Sequence, residues 1–330
     1  MIKHGALGDF IMATGPFAAI RARHPKSHIV LLTTKPYVEL AEKTGFFDEI
    51  WVDPKPEAWE IKKGWEFIKK LRAGGWTMVY DLQTSDRSDW YFRLIGKKKP
   101  MWSGRIDWCS HPHLNPNRTK MHTIERQAEQ LQIAGIKMVP KPNVSWLKSN
   151  IAKFKLGKRF ALLVAGGSAH RKEKRWTEDG YGRVARFLRD QKITPVFIGT
   201  KAEEYDISRI VKLCDGSVNL VNQTNFADIA ELARRAVVAV GNDTGPMHII
   251  SLTGCPTIVL FSEHSNPDKI RPRGENTKIL QEEDLKDLSA KDVISLIEEM
   301  VDLDSNEKAA KPVGSSKKPK KAKKRKPRRK

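Results

Sequence analysis

Three glycine-containing segments, each of which follows an apolar run or opens the chain, carry residues suited to a phosphorylated ligand. GNDTGPMH, residues 241–248, follows the apolar run 236–240 and precedes a helical pattern at 248–252. GGS, residues 166–168, follows the run LLVA and leads into a series of cations. GALGD occupies residues 5–9. Backbone N–H groups at strand-to-helix turns bind phosphate, so this pattern predicts an enzyme that handles a nucleotide-linked substrate.

Asp9 ends the GALGD segment at the point where a helix is predicted to begin. One interpretation is a helix N-cap, worth about 1 kcal/mol. The other is a general base whose carboxylate faces a ligand. Glycines just before the helix, including Gly8, let a backbone approach a ligand closely, which an ordinary cap does not require. The residue pattern alone leaves both interpretations open.

The cations after the second glycine pair predict groups that neutralise a departing diphosphate. HRKEKRW covers residues 170–176, and Lys174 and Arg175 are the candidates. Ser168 is a candidate to donate a hydrogen bond to a phosphate oxygen. A solvated charged surface is the alternative interpretation of this series.

The third segment predicts an anion site at the start of a helix. Asp243, Thr244 and Gly245 precede Pro246, a residue favoured in the first helical turn. The helix dipole and the free N–H groups there favour an anion, and His248 lies in the same turn. An ordinary Asp/Thr cap is the alternative.

A further polar group follows the predicted strand at residues 77–82. Asp81 and Gln83 alternate to one side of the chain, and Arg87 follows them. Polar groups at the carboxyl end of a strand suit recognition of a sugar or an acceptor, with a plain loop as the alternative. We therefore take Gly8, Asp81, Gln83 and Arg87 as acceptor-side candidates.

Composition limits the class of protein. The 330 residues are 39% hydrophobic, and no run approaches the roughly 18 apolar residues of a membrane span. Three scattered cysteines predict a reduced, cytosolic protein without a disulfide framework or a zinc site. The sequence contains neither a GxxxxGK[ST] loop nor a GxSxG element. His111, His113, His122 and Cys109 lack the spacing of a metal site, and we expect no metal and no cofactor.

The net charge of +21 is unevenly distributed. Residues 305–330 contain ten Lys, three Arg and one Glu, a net +12, which leaves +9 for the other 304 residues. Too few apolar residues accompany these charges for folding, so we predict a disordered tail that binds an anionic membrane surface, with nucleic acid as a less favoured partner. The excess in the remaining chain predicts an acidic substrate.

Strands and helices alternate through both halves of the chain, which predicts an α/β protein with two parallel sheets. We place an N-terminal acceptor-side domain at 1–142, a C-terminal donor domain at 143–304 and the tail at 305–330. The last helix, predicted at 290–301, is a candidate to pack back on the N-terminal domain. Only four residues precede the GALGD turn, fewer than the roughly five of a typical strand, so the first strand is either truncated or begins upstream.

The segments GALGDFIMATGPFAAIRARHP, GGSAHRKEKRW, FIGTKAEE and VGNDTGPMHIISLTGCPTIVLF together resemble glycosyltransferase family 9, the ADP-heptose:lipopolysaccharide heptosyltransferases. The resemblance extends over about residues 2–301 and leaves out the tail. It implies a GT-B fold, with two Rossmann-like domains facing across a cleft. It also implies inverting, metal-independent transfer of heptose from ADP-heptose to the Kdo or heptose of the inner core, on a phosphorylated lipid at the cytoplasmic face of the inner membrane.

The resemblance also implies roles for individual residues. Asp9 would deprotonate the acceptor hydroxyl, and Ser168 and Lys174 would hold the diphosphate. Glu203 would lie near the ribose of the nucleotide and Thr224 near its adenine. The family's D-T-G-x-x-H donor segment corresponds to Asp243, Thr244, Gly245 and His248.

Three departures from the family pattern and four alternatives complete the expectations. The first strand is nearly missing, Ser168 stands where a threonine pair is common, and residues 83–87 and 111–113 match no acceptor pattern of the family. A sugar-nucleotide epimerase, or a transferase that uses another nucleotide sugar, would share the architecture. A non-catalytic polybasic protein would lose its main activity on removal of residues 305–330. A dinucleotide oxidoreductase is disfavoured because GALGD lacks the third glycine of GxGxxG.

Overall fold

The computed structural model describes residues 1–57, 59–167 and 172–303. In the first half, apolar runs form short parallel strands, and helices alternate with them as predicted. The helix predicted to begin at Asp9 begins at Leu7 instead, and a break at Ala13 divides this region into two helices. The strands at 101–104 and 111–112 and the helix at 86–94 are not predicted from the sequence. The strands are β1 (Val30–Thr33), β2 (Glu49–Val52), β3 (Met78–Tyr80), β4 (Met101–Gly104) and β5 (His111–Pro112); the helices are α1 (Leu7–Met12), α2 (Thr14–Arg23), α3 (Val38–Thr44), α4 (Ile61–Ala73), α5 (Asp86–Leu94) and α6 (Thr123–Ile133).

The first three residues join two groups of strands. Ile2 N donates to Tyr80 O of β3 at 2.9 Å, and Lys3 N donates to Leu32 O of β1 at 3.0 Å. Ile2 thereby bridges β1 and β3 in parallel, between the pair β1-β2 and the trio β3-β4-β5. This short segment occupies the position of the first strand and delivers residues 5–9 to the carboxyl edge of the sheet.

The second half contains one parallel sheet of strand order β11-β10-β9-β6-β7-β8. Buried apolar runs such as FALLV in β6 form its centre, as is usual for strands covered on both faces. The strands are β6 (Phe160–Val164), β7 (Thr194–Phe197), β8 (Val218–Asn219), β9 (Ala239–Asn242), β10 (Thr257–Ser262) and β11 (Thr277–Glu282); the helices are α7 (Glu178–Asp190), α8 (Glu204–Val211), α9 (Phe226–Arg235), α10 (Gly245–Ser251), α11 (Pro267–Ile270) and α12 (Ala290–Met300).

Side-chain hydrogen bonds fix where several of these helices begin. Ser85 and Ser88 form a reciprocal capping box at the start of α5, and Asn225 and Asp228 form another at the start of α9. Thr177 caps α7 by accepting from Gly180 N at 3.0 Å. Each such cap stabilises its helix by about 1 kcal/mol. Short polar side chains thus set the boundaries of helices whose apolar faces then pack.

Alternate residues of β6 face two different cores. Leu162 and Val164 pack in a cluster that contains residues of α9 and α10, and also Phe10 and Phe17 from the first half. Leu163 packs on the other side of the sheet with residues of α7 and α12. Full burial of each such side chain contributes about 1.5–3 kcal/mol. The first of these clusters is shared by both halves of the chain.

The last described helix packs on the second sheet. α12 contacts α7 and β10, and its Val293 and Ile297 are fully buried there. The suggestion that this helix returns to the N-terminal half is therefore wrong, because its apolar residues are already covered. None of the helices within the described ranges has both the length and the apolarity that crossing a bilayer requires.

Candidate active site

Two helices, one from each half, contact each other near their N-termini: α1 and α10. A Cβ added to Gly8 of α1 would lie 2.6 Å from the His248 ring of α10, and one added to Gly245 would lie 2.6 Å from Leu7 Cβ. Glycine is therefore required at both positions because any side chain would collide with the opposite helix. These glycines let the residues beside them, Asp9 on one side and Asp243 on the other, share one site.

Further contacts hold the two halves together around this point. His122 of the first half lies with its Nε2 3.0 Å from the carbonyl oxygen of Arg271 in the second. Arg273 donates to Glu125 Oε1 at 2.9 Å. These contacts lie along one edge of the cleft and support the arrangement in which α1 faces α10.

Asp9 is not a helix cap. The N-cap position of α1 is Ala6, and no side chain caps this helix. Asp9 is half-buried, and its charge influences the pKa of two neighbouring basic side chains. Burial lowers the pKa of Arg126, and burial likewise lowers the pKa of Lys3; the negative charge of Asp9 opposes both shifts. Asp9 thus lies close enough to Arg126 and Lys3 for its charge to interact with theirs.

His248 is held neutral at this site. Its side chain is buried, and burial lowers its pKa to about 4, while the carboxylates of Asp243 and Asp9 oppose the shift. A neutral imidazole at pH 7 donates one hydrogen bond and accepts another. His248 can therefore orient a hydroxyl or a phosphate oxygen without adding charge.

Lys174 and Asp243 form an ion pair on the donor side. Lys174 Nζ lies 3.3 Å from Asp243 Oδ2, and the two side chains are only 12% and 8% exposed. Ser265 Oγ donates to the same oxygen at 2.6 Å. Lys174 is thus a cation fixed next to the turn after β9, where the sequence predicts phosphate binding.

Glu203 and Arg175 hold the glycine loop after β6. Glu203 Oε1 accepts from Gly167 N at 2.7 Å, and its other oxygen accepts from Thr200 N at 2.7 Å. Arg175 donates to Gly167 O at 3.0 Å and to Asp206 Oδ2 at 2.7 Å. The Nη1 and Nη2 atoms of Arg175 are thus occupied with loop contacts, while its buried Nε has no hydrogen-bond partner among the described residues. The expected contact of Arg175 with the diphosphate stays a prediction.

The remaining donor-side candidates are placed as follows. Thr244 is the N-cap of α10, and its Oγ1 is buried with no hydrogen-bond partner among the described residues, which leaves it available to a ligand. Thr224 is half-buried in the loop before α9. Its expected contact with adenine stays a prediction, as does that of Glu203 with ribose. Ser168 lies outside the described residues.

Two of the acceptor-side candidates have structural roles. Asp81 is fully buried, and its Oδ1 accepts from Gln83 N at 3.1 Å and Thr84 N at 2.9 Å. Burial raises the pKa of Asp81 to about 6. Gln83 Oε1 accepts from His4 N at 2.9 Å. The expectation of ligand contact is wrong for Asp81, because its carboxylate closes the turn after β3.

Arg87, the third of these candidates, is bound to an aspartate that the sequence analysis did not select. Its Nε and Nη2 each donate to Asp53 at 2.7 Å, and Tyr91 OH donates to the same carboxylate. Burial alone would raise the pKa of Asp53, but these hydrogen bonds hold it below its usual value. His4 Nε2 lies 3.2 Å from Asp53. Arg87 therefore fixes the strand ends behind the GALGD turn.

Two further cations at the cleft were also missed. Arg118 and Arg126 are half-buried, and burial lowers the pKa of each. The Nε and Nη2 atoms of Arg118 have no hydrogen-bond partner among the described residues. No local pattern singles these arginines out, because only the tertiary fold brings Arg126 close to Asp9 and Arg118 close to Arg126. The unsatisfied guanidinium of Arg118 and the charge of Arg126 near Asp9 favour an acidic ligand.

The close approach of Gly8 to His248 gives a testable expectation. Gly8→Ala places a methyl group 2.6 Å from a buried ring, so α1 and α10 must separate. A shift of about 1 Å in such groups lowers kcat/KM by about 10²-fold. Steady-state kinetics would measure this loss.

Gly64→Ala is the matched control, since this helical glycine has only Pro56 Cγ at 3.5 Å from the added carbon. It should raise the free energy of unfolding by about 0.5–1 kcal/mol and leave turnover unchanged. Equal kinetics for the two variants would contradict the assignment of the α1–α10 contact to the site.

Metal ligands are not grouped in the described part of the chain. Within it, no set of three or more His, Cys, Asp or Glu side chains is arranged to hold an ion. His113 is buried 3.4 Å from Glu129, and His111 Nδ1 lies 2.9 Å from Ser110 Oγ.

Comparison with known proteins matches residues 64–298 to glycosyltransferase family 9 (heptosyltransferase). The chain belongs to this family. The lipopolysaccharide core heptosyltransferase OpsX of Haemophilus influenzae is 28% identical in an alignment of 291 residues that covers 82% of this chain and 80% of the relative.

Two solved structures share the fold. The family 9 glycosyltransferase of Veillonella parvula has a TM-score of 0.77 at 19% identity, covering 91% of this chain and 95% of that one. The E. coli heptosyltransferase WaaC with ADP-2-deoxy-2-fluoro heptose has a TM-score of 0.72 at 17% identity, covering 90% and 98%. The two facing sheets are thus the GT-B fold that the resemblance implied, and this family 9 member is a glycosyltransferase.

Proposed function

We propose that this protein moves a heptose from ADP-heptose to the inner-core region of a lipopolysaccharide acceptor, with inversion and without a metal. The observation that carries the proposal is the meeting of Asp9 with His248 and Asp243 where α1 and α10 touch. A base from one half lies beside the donor segment of the other, as a single displacement requires. The WaaC structure with an ADP-heptose analogue supports the choice of donor.

The proposed reaction is a direct displacement at the anomeric carbon of the donor. An acceptor hydroxyl gives its proton to the Asp9 carboxylate while its oxygen attacks the anomeric carbon of the donor. The bond between that carbon and the phosphate oxygen breaks, and ADP leaves on the opposite face with the electron pair. Lys174 offsets the charge that develops on the diphosphate, and Thr244 Oγ1 is free to donate a hydrogen bond. Closure of the halves aligns the reacting atoms.

The direct test measures ADP release and product formation with ADP-heptose and a Kdo-containing lipid acceptor, with and without EDTA. We expect release of ADP only when acceptor is present, unchanged by EDTA. Conversion of the donor without acceptor would favour the epimerase alternative. Preference for a UDP- or GDP-sugar would still indicate a transferase, but one with a different donor.

Substitution of Arg126 tests whether the acceptor is acidic. Its guanidinium is half-buried near Asp9, and its Nη2 donates a long hydrogen bond of 3.4 Å to Thr123 Oγ1. We expect Arg126→Gln to raise the KM of an anionic acceptor by about 10- to 100-fold, as for loss of a charged hydrogen bond. The donor Kd should not change.

Initial-rate kinetics with a carboxylated acceptor and with its neutral methyl ester would check this, because the ester should show a smaller effect. Arg183→Gln is the control, since Arg183 pairs with Asp179 on the exposed side of α7. A fall in kcat with unchanged acceptor KM would instead assign Arg126 to positioning Asp9.

A further inference from the structure

An exposed apolar groove lies between α4 and α5, outside the site described above. Its volume is about 550 Å³. The side chains that leave most apolar surface on its walls form what we call the tryptophan patch: Ile61 (77% exposed), Trp65 (50%), Trp90 (57%) and Leu94 (37%). Large apolar side chains grouped in this way on a surface mark an interaction site.

Cations surround the aromatic rings of the tryptophan patch. Arg72 lies 5.2 Å and Lys69 5.9 Å from the ring centre of Trp65, and Arg93 lies 5.6 Å from that of Trp90. The α4 helix carries five Lys or Arg residues and one acidic residue. Residues 97–99, just beyond α5, are all lysine. The patch is therefore an apolar centre within a positively charged border.

The floor of the groove connects the tryptophan patch to the acceptor side of the cleft. Arg87 and Tyr91 line the groove and bind Asp53, which directly follows β2. Asp53 in turn lies 3.2 Å from His4, next to the turn that presents Asp9. A ligand held at the patch is thus at the same edge of the sheet as the acceptor-side residues.

We propose that the tryptophan patch docks the protein on a bilayer that contains anionic lipids. Indole rings favour the boundary between headgroups and acyl chains, and an amphipathic helix with cations beside its apolar face lies in that boundary. Lysine and arginine near the surface are attracted to anionic headgroups. We favour a bilayer over a protein partner because indole rings and a surrounding border of cations together match the headgroup region of an anionic membrane. The proposal is independent of the donor and acceptor, since binding to vesicles requires neither.

The test uses the full chain and vesicles of phosphatidylcholine with or without phosphatidylglycerol. Vesicles with brominated acyl chains quench only those indoles that enter the bilayer, and residues 305–330 contain no tryptophan. We expect quenching by anionic vesicles. We expect Trp65→Ala/Trp90→Ala to lose most of that quenching and to weaken flotation with vesicles by about tenfold. Circular dichroism and Tm establish that the variant is folded.

Tyr205→Ala is the matched control. Tyr205 is 74% exposed and lies 5.9 Å from the Arg209 guanidinium, but it belongs to α8 in the other half. It should bind vesicles as the parent does. Salt-sensitive binding that is equal in parent and double variant, without quenching, would assign attachment to residues 305–330 and overturn the proposal. Self-association of the parent that the double variant loses, without vesicle binding, would also overturn it in favour of a second copy.

Discussion

Asp9→Asn is expected to lower kcat by about 10²- to 10⁴-fold, the usual contribution of a general base. The amide keeps the size of the side chain but cannot take the proton of the acceptor hydroxyl. Asp9 does not cap α1, whose N-cap is Ala6, so its replacement removes no helix-capping bond. Donor affinity should be retained, because the carboxylate belongs to the acceptor half.

Two measurements check this expectation. Single-turnover kinetics give the chemical step, and titration with ADP gives donor-side binding. Asp292→Asn is the control, since Asp292 also lies in the first turn of a helix but is exposed on α12, away from the cleft. Turnover of Asp9→Asn within a few-fold of the parent would remove Asp9 as the base. An equal loss in both variants would indicate destabilisation instead.

The architecture was predictable because buried parallel strands leave a strong local pattern. FALLV in β6 and TIVLFS in β10 are continuous apolar runs covered on both faces. The strands missed in the second half, β8 and β11, are the two edges of the sheet. β8 has two residues, and β11 is mostly half-exposed and polar. Edge strands carry a weaker apolar pattern because one side has no partner.

The site was predictable where its residues lie at turns of unusual composition. The glycines of GALGD and GNDTG indicated close backbone approach, and the structure shows why, since Gly8 contacts the His248 ring and Gly245 contacts Leu7. Asn242, the second residue of GNDTG, was not selected as a candidate. It donates to Ala165 O and Gly166 O and accepts from Trp176 N and Tyr181 OH, which fixes the donor loop.

Long-range partners were not predictable from spacing. Arg87 meets Asp53 across 34 residues, and Arg175 meets Asp206 across 31. Both arginines follow a strand, as a ligand-binding cation would, and the sequence contains no sign that a carboxylate lies within reach. Arg126 is the converse case, since nothing in α6 marks it and only the fold brings it to Asp9.

Lys174→Ala is expected to lower turnover by about 10²- to 10³-fold, as for loss of one group that stabilises developing charge. Lys174 is only 12% exposed, and its Nζ is held 3.3 Å from Asp243 Oδ2. A cation fixed in place needs no reorganisation when the diphosphate leaves. Lys212→Ala, at an exposed position in the same half, should keep parental turnover.

The ion pair allows this effect to be separated from loss of structure. Lys174→Ala leaves the carboxylate of Asp243 with Ser265 Oγ as its described partner, so part of the loss could come from that uncompensated charge. Adding Asp243→Asn removes the charge. If Lys174 acts on the departing diphosphate, the double variant should remain as slow as Lys174→Ala while its Tm recovers. Recovery of turnover together with Tm would show that Lys174 only neutralises Asp243, because no separate interaction with the donor would then have been lost.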